Sequence, residues 1–155
     1  MPLRFLIHDI DRDKIGISAL TLLQTGYDEI IPVTGEVEIQ CVGLDKMRQL
    51  NSRYRSKDEP TDVLSFPTLA RIEKQIDPEP AQPILLGGVV ICPAKAVEYG
   101  ETLPQLVHHG VLHLLGYDHE RDWPEWAAAE AKVVRKLARH GLSIPPVSHE
   151  SFQLP

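Results

Sequence analysis

The chain has 155 residues, 43% hydrophobic and 25% charged, which predicts one globular domain over residues 1–155 with a sizeable core. No apolar run is long enough to cross a membrane, and acidic residues interrupt the first apolar stretch, which argues against a signal peptide and for a cytoplasmic location. The net charge of −6 argues mildly against a nucleic-acid-binding protein, because such proteins usually carry a basic excess.

The first third of the chain predicts two strands and two helices. A short strand over Leu3–Ile7 precedes a helix over residues 12–25 that is expected to stop at Gly26. Alternating apolar residues predict a second strand over Glu36–Val42. Apolar residues at helical spacing then predict an amphipathic helix over residues 44–54.

The middle of the chain predicts two more strands separated by a loop. The third strand is expected over Thr61–Phe66, and the proline-rich sequence that follows predicts a surface loop within residues 68–83. Ile84–Ile91 is a strongly apolar strand. Its adjacent glycines, Gly87 and Gly88, predict a bulge or a close approach of another backbone.

The last third predicts three helices. The first covers Pro93–Tyr99, the second is capped by Thr102 and ends at Gly116, and the third covers residues 123–140. The tail from about residue 145 is expected to fray. The predicted fold is therefore of the α+β class. It is one domain, in which a mixed sheet of about four strands is packed with about five helices, and a central helix carries a metal site.

Basic residues are concentrated in one short window. Residues 46–57 carry a charge of +5 and the rest of the chain carries −11. The basic residues are Lys46, Arg48, Arg53, Arg55 and Lys57. Two interpretations remain open: a solvated helix face, or a surface that docks an anionic partner.

Three histidines form the candidate metal site. His109 and His113 are four residues apart on a predicted helix, so their rings project from one face, one turn apart. Gly116 lets the chain turn back after the helix, which brings His119 within reach of the open side of the pair. Three neutral imidazoles leave a fourth tetrahedral position for water, the arrangement of catalytic zinc. His108 is rotated about 100° around the helix and is expected to face elsewhere.

The alternative interpretation is that these histidines are surface or satisfied core residues. The helix is apolar nearly all round, which predicts burial, and buried imidazoles need hydrogen-bond partners or a shared metal. Gly110, in the helix interior, predicts a close backbone approach beside the first ligand. It also stands where zinc peptidases of the H-E-x-x-H type have their catalytic Glu, which favours another kind of hydrolysis.

Three segments of the chain resemble one known family. The segment H-G-V-L-H-L-L-G-Y-D-H over residues 109–119 resembles the histidine signature of the YbeY family of bacterial endoribonucleases. Residues 50–67, with N-S-R-Y-R and P-T-D-V-L-S-F-P, resemble that family's second conserved segment, and Leu86–Cys92 resembles a third. The chain departs from the pattern at Gly88, where the family usually has Asp.

The resemblance implies a zinc-dependent endoribonuclease, with one ion per chain, that cleaves single-stranded ribosomal RNA. It implies that the enzyme acts toward the 3′ end of small-subunit RNA and serves in ribosome quality control. The expected partner is the ribosome or its small subunit, and DNA is not expected to be a substrate. It also implies that Arg55 is essential, and a guanidinium fork suits two phosphate oxygens. With RNA as the substrate, the other basic residues of the window, Lys46, Arg48, Arg53 and Lys57, are expected to dock its phosphates in a groove between this helix and the metal site. Asp118 is suited either to orienting a ligand imidazole or to capping the turn. Two rival functions remain: a zinc peptidase or amidase, and a ribosome-assembly protein with a structural metal.

Overall fold

The computed structural model describes residues 3–8, 22–27, 35–67, 84–117, 121 and 123–145. Within that part, the four strands all precede the last three helices. The elements are β1 (Leu3–His8), β2 (Gly35–Cys41), α1 (Leu44–Arg55), β3 (Val63–Pro67), β4 (Ile84–Ile91), α2 (Pro93–Glu98), α3 (Leu103–Leu114) and α4 (Trp123–Arg139). Residues 22–25 are also helical and end the helix predicted over residues 12–25, most of which lies outside the described residues.

The strands form one mixed sheet in the order β1-β2-β4-β3. β1, β2 and β4 run parallel, and β3 is an edge strand antiparallel to β4. This sheet with five helices confirms the predicted α+β class. The proline-rich loop and the tail beyond residue 145 lie outside the described residues.

The predicted irregularity in β4 lies at Gly87. The register of β4 against β2 slips there, and Gly87 has a φ of +148°, a conformation that side chains strongly disfavour. A Cβ at this position would also collide with the carbonyl oxygen of Phe66. The bulge therefore requires glycine at position 87.

The two faces of the sheet carry different helices. On one face, Val37 and Ile39 are buried in the main core together with apolar residues of α3 and α4. On the other face, Leu64 packs against Met47 of α1 in a smaller core. Because alternate residues of a strand point to opposite faces, α1 and α3 lie on opposite sides of the sheet.

The ends of α3 are those that the sequence predicts. The Thr102 hydroxyl accepts from the Gln105 backbone N–H at 3.2 Å, and the Gln105 side chain accepts from the Thr102 N–H at 3.1 Å, a reciprocal capping box. Gly116 follows the helix with a φ of +96°. None of the helices in the described ranges is both long and apolar enough to span a bilayer.

Both cysteines are free thiols, but they differ in burial. Cys92 is buried, whereas Cys41 is only half-buried. Burial, together with the nearby Cys92, raises the pKa of the Cys41 thiol to about 11, so this side chain is protonated at neutral pH.

Candidate metal centre

The rings of His109 and His113 converge on α3. Their Nε2 atoms are 3.1 Å apart, their ring centroids are 4.8 Å apart, and each residue is 5% exposed. The i, i+4 spacing on a regular helix places the rings side by side, and burial on all sides of α3 keeps them there. The pair therefore presents two nitrogens to one point in space.

This geometry fits a shared metal ion. Two imidazole nitrogens that bind zinc tetrahedrally at 2.0–2.1 Å are separated by about 3.4 Å, close to the observed distance. The same 3.1 Å also suits a hydrogen bond in which one Nε2 donates to the other. Each imidazole has a partner in either arrangement, so burial alone does not choose between metal and hydrogen bond.

The third predicted ligand, His119, lies outside the described residues, as does Asp118. Among the residues that are described, no group of three or more His, Cys, Asp or Glu side chains is placed to hold a metal ion. The structure thus brings together two of the three predicted ligands, and the three-histidine site stays a prediction.

Trp126 of α4 forms a wall of the histidine pair, and sequence reasoning missed it. Its ring centroid lies 4.9 Å from that of His109 and 5.1 Å from that of His113, and the residue is 3% exposed. No spacing rule connects Trp126 to these histidines, because the contact depends on how α4 packs. An apolar wall of this kind excludes water and restricts the rotation of both rings.

His108 faces away from the pair, as predicted, and it connects α3 to Tyr27. Its Nδ1 lies 2.8 Å from the Tyr27 hydroxyl, and its Nε2 lies 3.6 Å from a Glu130 carboxylate oxygen, beyond hydrogen-bonding distance. Burial, and secondarily the charge of Glu130, raises the pKa of Tyr27 well above its usual value. Tyr27 therefore stays a neutral phenol and helps to fix the rotation of α3.

Gly110 sets the distance between α3 and the sheet. A Cβ on Gly110 would lie 2.8 and 2.9 Å from the two methyl groups of Val89 and 3.1 Å from the Ser65 hydroxyl. That hydroxyl also donates to the Gly110 carbonyl oxygen at 3.2 Å. The predicted close approach beside His109 is confirmed, and Ser65 has a structural role in it.

The basic window lies on α1 and just beyond its end. Arg48 forms an exposed ion pair with Asp58 at 3.1 Å, and the Arg53 guanidinium lies 5.4 Å from the centroid of the Tyr54 ring. Lys46 and Lys57 are exposed, while Arg55, the last residue of α1, is half-buried.

The predicted groove between the basic helix and the metal site is not what the structure has. Leu64 of β3 packs under α1, whereas its neighbour Ser65 bonds to α3, so the sheet separates the two helices. An RNA strand that touches both helices has to pass around an edge of the sheet.

A buried carboxyl pair also escaped the sequence analysis. Glu101 is 8% exposed and Asp62 is fully buried. Burial, followed by the charge of Asp62, raises the pKa of Glu101 to about 8, so most of this carboxyl is protonated at neutral pH. Asp62 accepts from the Val63 N–H at 2.8 Å, which gives it a structural role at the start of β3.

Comparison with known proteins gives a consistent result. The family model described as Endoribonuclease YbeY matches residues 8–139. An Endoribonuclease YbeY of Acinetobacter baumannii is 42% identical over 132 residues, which cover 76% of this chain and 77% of the relative. One of Sulfurimonas denitrificans is 41% identical over 110 residues, 66% of this chain and 72% of the relative. A solution structure of a Thermotoga maritima protein, 23% identical, covers 90% of this chain and 93% of its own with a TM-score of 0.50, which supports the fold.

Proposed function

Since the chain belongs to the YbeY family of endoribonucleases, we propose that it is a zinc-dependent enzyme that cleaves single-stranded ribosomal RNA. Its site of action is toward the 3′ end of small-subunit RNA. There it serves maturation and quality control in the cytoplasm, in association with the ribosome or its small subunit. The observation that carries the metal dependence is the 3.1 Å approach of the His109 and His113 Nε2 atoms in a buried site.

The histidines are the proposed ligands of one zinc ion. His109 and His113 contribute Nε2 from α3, and His119 completes the set. When bound there, the ion would lower the pKa of a water molecule or polarise a phosphoryl oxygen of the substrate. The chain supplies the rest: Trp126 shields the imidazoles from solvent, and the bond of Ser65 to Gly110 holds α3 against the sheet.

Arg55 is the proposed catalytic residue outside the ligand set. Its guanidinium presents two parallel N–H donors to the phosphate oxygens, on which negative charge grows during cleavage. Lys46, Arg48, Arg53 and Lys57 are the proposed contacts to neighbouring phosphates. Their charge opposes the acidic remainder of the molecule and directs RNA to the side of α1.

Gly110 favours RNA over peptide as the substrate. In zinc peptidases of the H-E-x-x-H type, the residue after the first histidine is the Glu that acts as general base. A side chain at position 110 would collide with Val89, so this helix has no room for that base in its present packing.

Metal analysis combined with substrate assays tests the proposal. We expect about one zinc ion per chain after purification without chelators, and cleavage of labelled single-stranded RNA that stops with chelator and returns with zinc. Duplex RNA, single-stranded DNA and casein serve as comparison substrates and should stay intact. Casein cleavage without RNA cleavage would identify a peptidase, and bound metal with no turnover of any substrate would identify an assembly protein.

A further inference from the structure

A notch opens in the face of the sheet that carries α1. In the strand register, Gly88 of β4 lies directly between Glu38 of β2 and Phe66 of β3. The absent side chain leaves a cavity of about 280 Å³ whose lining includes His8, Glu38, Gln40, Phe66, Leu85 and Gly88. This volume is close to the ~300 Å³ at which small-molecule sites begin.

The fold does not require glycine at position 88. Gly88 has no positive φ, and the nearest atom to a Cβ there would be the Glu38 carbonyl oxygen at 3.7 Å, an ordinary contact. Its neighbour Gly87 differs on both counts, with a φ of +148° and a collision with Phe66. What Gly88 provides is open space rather than a backbone conformation.

The walls of the notch offer chemically different groups. Glu38 and Phe66 are separated by two strand spacings, about 9.6 Å, which leaves room for a flat ring over Gly88. Phe66 provides an aromatic surface, and base–aromatic stacking is a general way to hold unpaired bases. The Glu38 carboxylate provides two acceptor oxygens side by side.

The notch is also adjacent to the basic helix. The Tyr54 ring of α1 packs edge-on against Phe66, with centroids 5.1 Å apart and planes at 75°. Tyr54 is 45% exposed, and the Arg53 guanidinium lies over it. An aromatic pair beside a window of +5 charge is complementary to a single-stranded polyanion, which favours RNA over a protein as the occupant.

We propose that this notch binds one unpaired guanine of the RNA substrate. Guanine is the base that fits the walls best, because its ring N1–H and its exocyclic amino group donate in parallel to the two oxygens of one carboxylate. Phe66 stacks on the ring, and Glu38 reads its edge. The notch and the histidine pair lie on opposite faces of the sheet, so the guanine is not the nucleotide at the cleaved bond. This inference rests on the proposed ribonuclease function.

Binding of defined oligonucleotides tests the notch. The probes are 12-nucleotide uridine oligomers that carry one guanosine, one inosine, one adenosine or no other base at the centre, bound to the His113→Ala protein to prevent cleavage. We expect the guanosine probe to bind about tenfold more tightly than the adenosine probe, by analogy with bidentate base contacts. Inosine, which lacks the exocyclic amino group, should fall between them.

Two substitutions in the His113→Ala background remove the preference by different routes. Gly88→Val fills the notch, and Glu38→Gln keeps the volume but exchanges the acceptor pair for an amide. Both variants should bind all four probes with the same affinity, that of the all-uridine probe. Gly43→Val is the matched control, because a Cβ at the exposed Gly43 would meet nothing within 4 Å. Thermal unfolding of each variant checks that it is folded.

The outcomes separate the two proposals. Equal binding of all four probes by the parent protein overturns the notch while RNA cleavage by the wild-type enzyme still supports the ribonuclease. A guanine preference that survives both Gly88→Val and Glu38→Gln also overturns the notch. If Gly88→Val loses binding to ribosomal subunits but keeps the base preference, the notch belongs to a protein partner. No binding or cleavage of any RNA overturns both proposals.

Discussion

The two faces of the sheet differ in how the helix that carries the candidate residues is buried. On α3, every residue from Gln105 to Leu114 is buried, and the histidine rings are fixed by Trp126, by one another and by the packing of Gly110. On α1, only Met47 and Asn51 are buried, and most of the basic side chains extend into solvent. A site for a metal needs nitrogens held within tenths of an ångström, whereas a surface for a polyanion needs only charge of the right sign.

Substitution of a candidate functional residue should have a larger effect on the α3 face of the sheet than on the α1 face. We expect His113→Ala to lose the bound metal and to lower RNA cleavage by more than about 100-fold, the upper end of what changes around metal ligands cost. Metal content by elemental analysis and cleavage rates measure both effects. His140→Ala, at an exposed histidine, is the control and should keep both. Full metal occupancy in His113→Ala would refute the ligand assignment.

Arg55 tests whether the α1 side also takes part in the chemistry. We expect Arg55→Ala to keep the metal and the fold but to lose about 100-fold in kcat, the usual cost of removing one donor to a developing charge. Arg55→Lys should recover little, because an ammonium group lacks the planar fork.

Arg135→Ala on the exposed face of α4 controls for the loss of one positive charge. Wild-type turnover in Arg55→Ala would mean that α1 contributes docking only and that catalysis is confined to the α3 side.

Gly110 tests the packing that defines the buried face. Gly110→Ala forces Val89 to move, and overpacking of this kind costs about 1–3 kcal/mol, offset by roughly 1 kcal/mol of improved helix propensity. We therefore expect the free energy of unfolding in urea to fall by up to about 2 kcal/mol. Gly43→Ala, at a site without neighbours, should change it by less than about 1 kcal/mol. Equal changes in the free energy of unfolding at the two positions would show that a Cβ at position 110 fits without displacing Val89.

The smallest expected effects are on the exposed face, where each charge contributes little by itself. Three or four phosphate contacts predict a slope of log K against log salt of about −2 to −3 for single-stranded RNA. In the His113→Ala background, replacing Lys46 and Lys57 by Gln should flatten the slope by about 1.4 and weaken binding to all sequences alike. Gln at Lys132 and Arg135 of α4 removes the same charge elsewhere and should leave the slope nearly unchanged. Equal slopes in the parent and the first variant would mean that the basic window is only a solvated helix face.

The sequence determined what depends on neighbours along the chain. The limits of α3 follow from Thr102 and Gly116, and the bulge in β4 follows from Gly87, because capping and backbone freedom are local properties. The convergence of His109 and His113 was equally predictable, since a helix fixes the i, i+4 spacing wherever it lies in the fold.

Only the tertiary structure decided which elements meet. Whether Leu64 or Ser65 faces α3 depends on the pairing of β3 with β4, and that choice put the basic helix across the sheet from the histidines rather than beside them. The wall of Trp126 and the bond from Tyr27 to His108, 81 residues apart, depend in the same way on packing between distant segments. Local sequence patterns do not indicate such contacts, because burial of apolar surface is favourable against any partner of suitable shape. The whole fold selects among the possible partners.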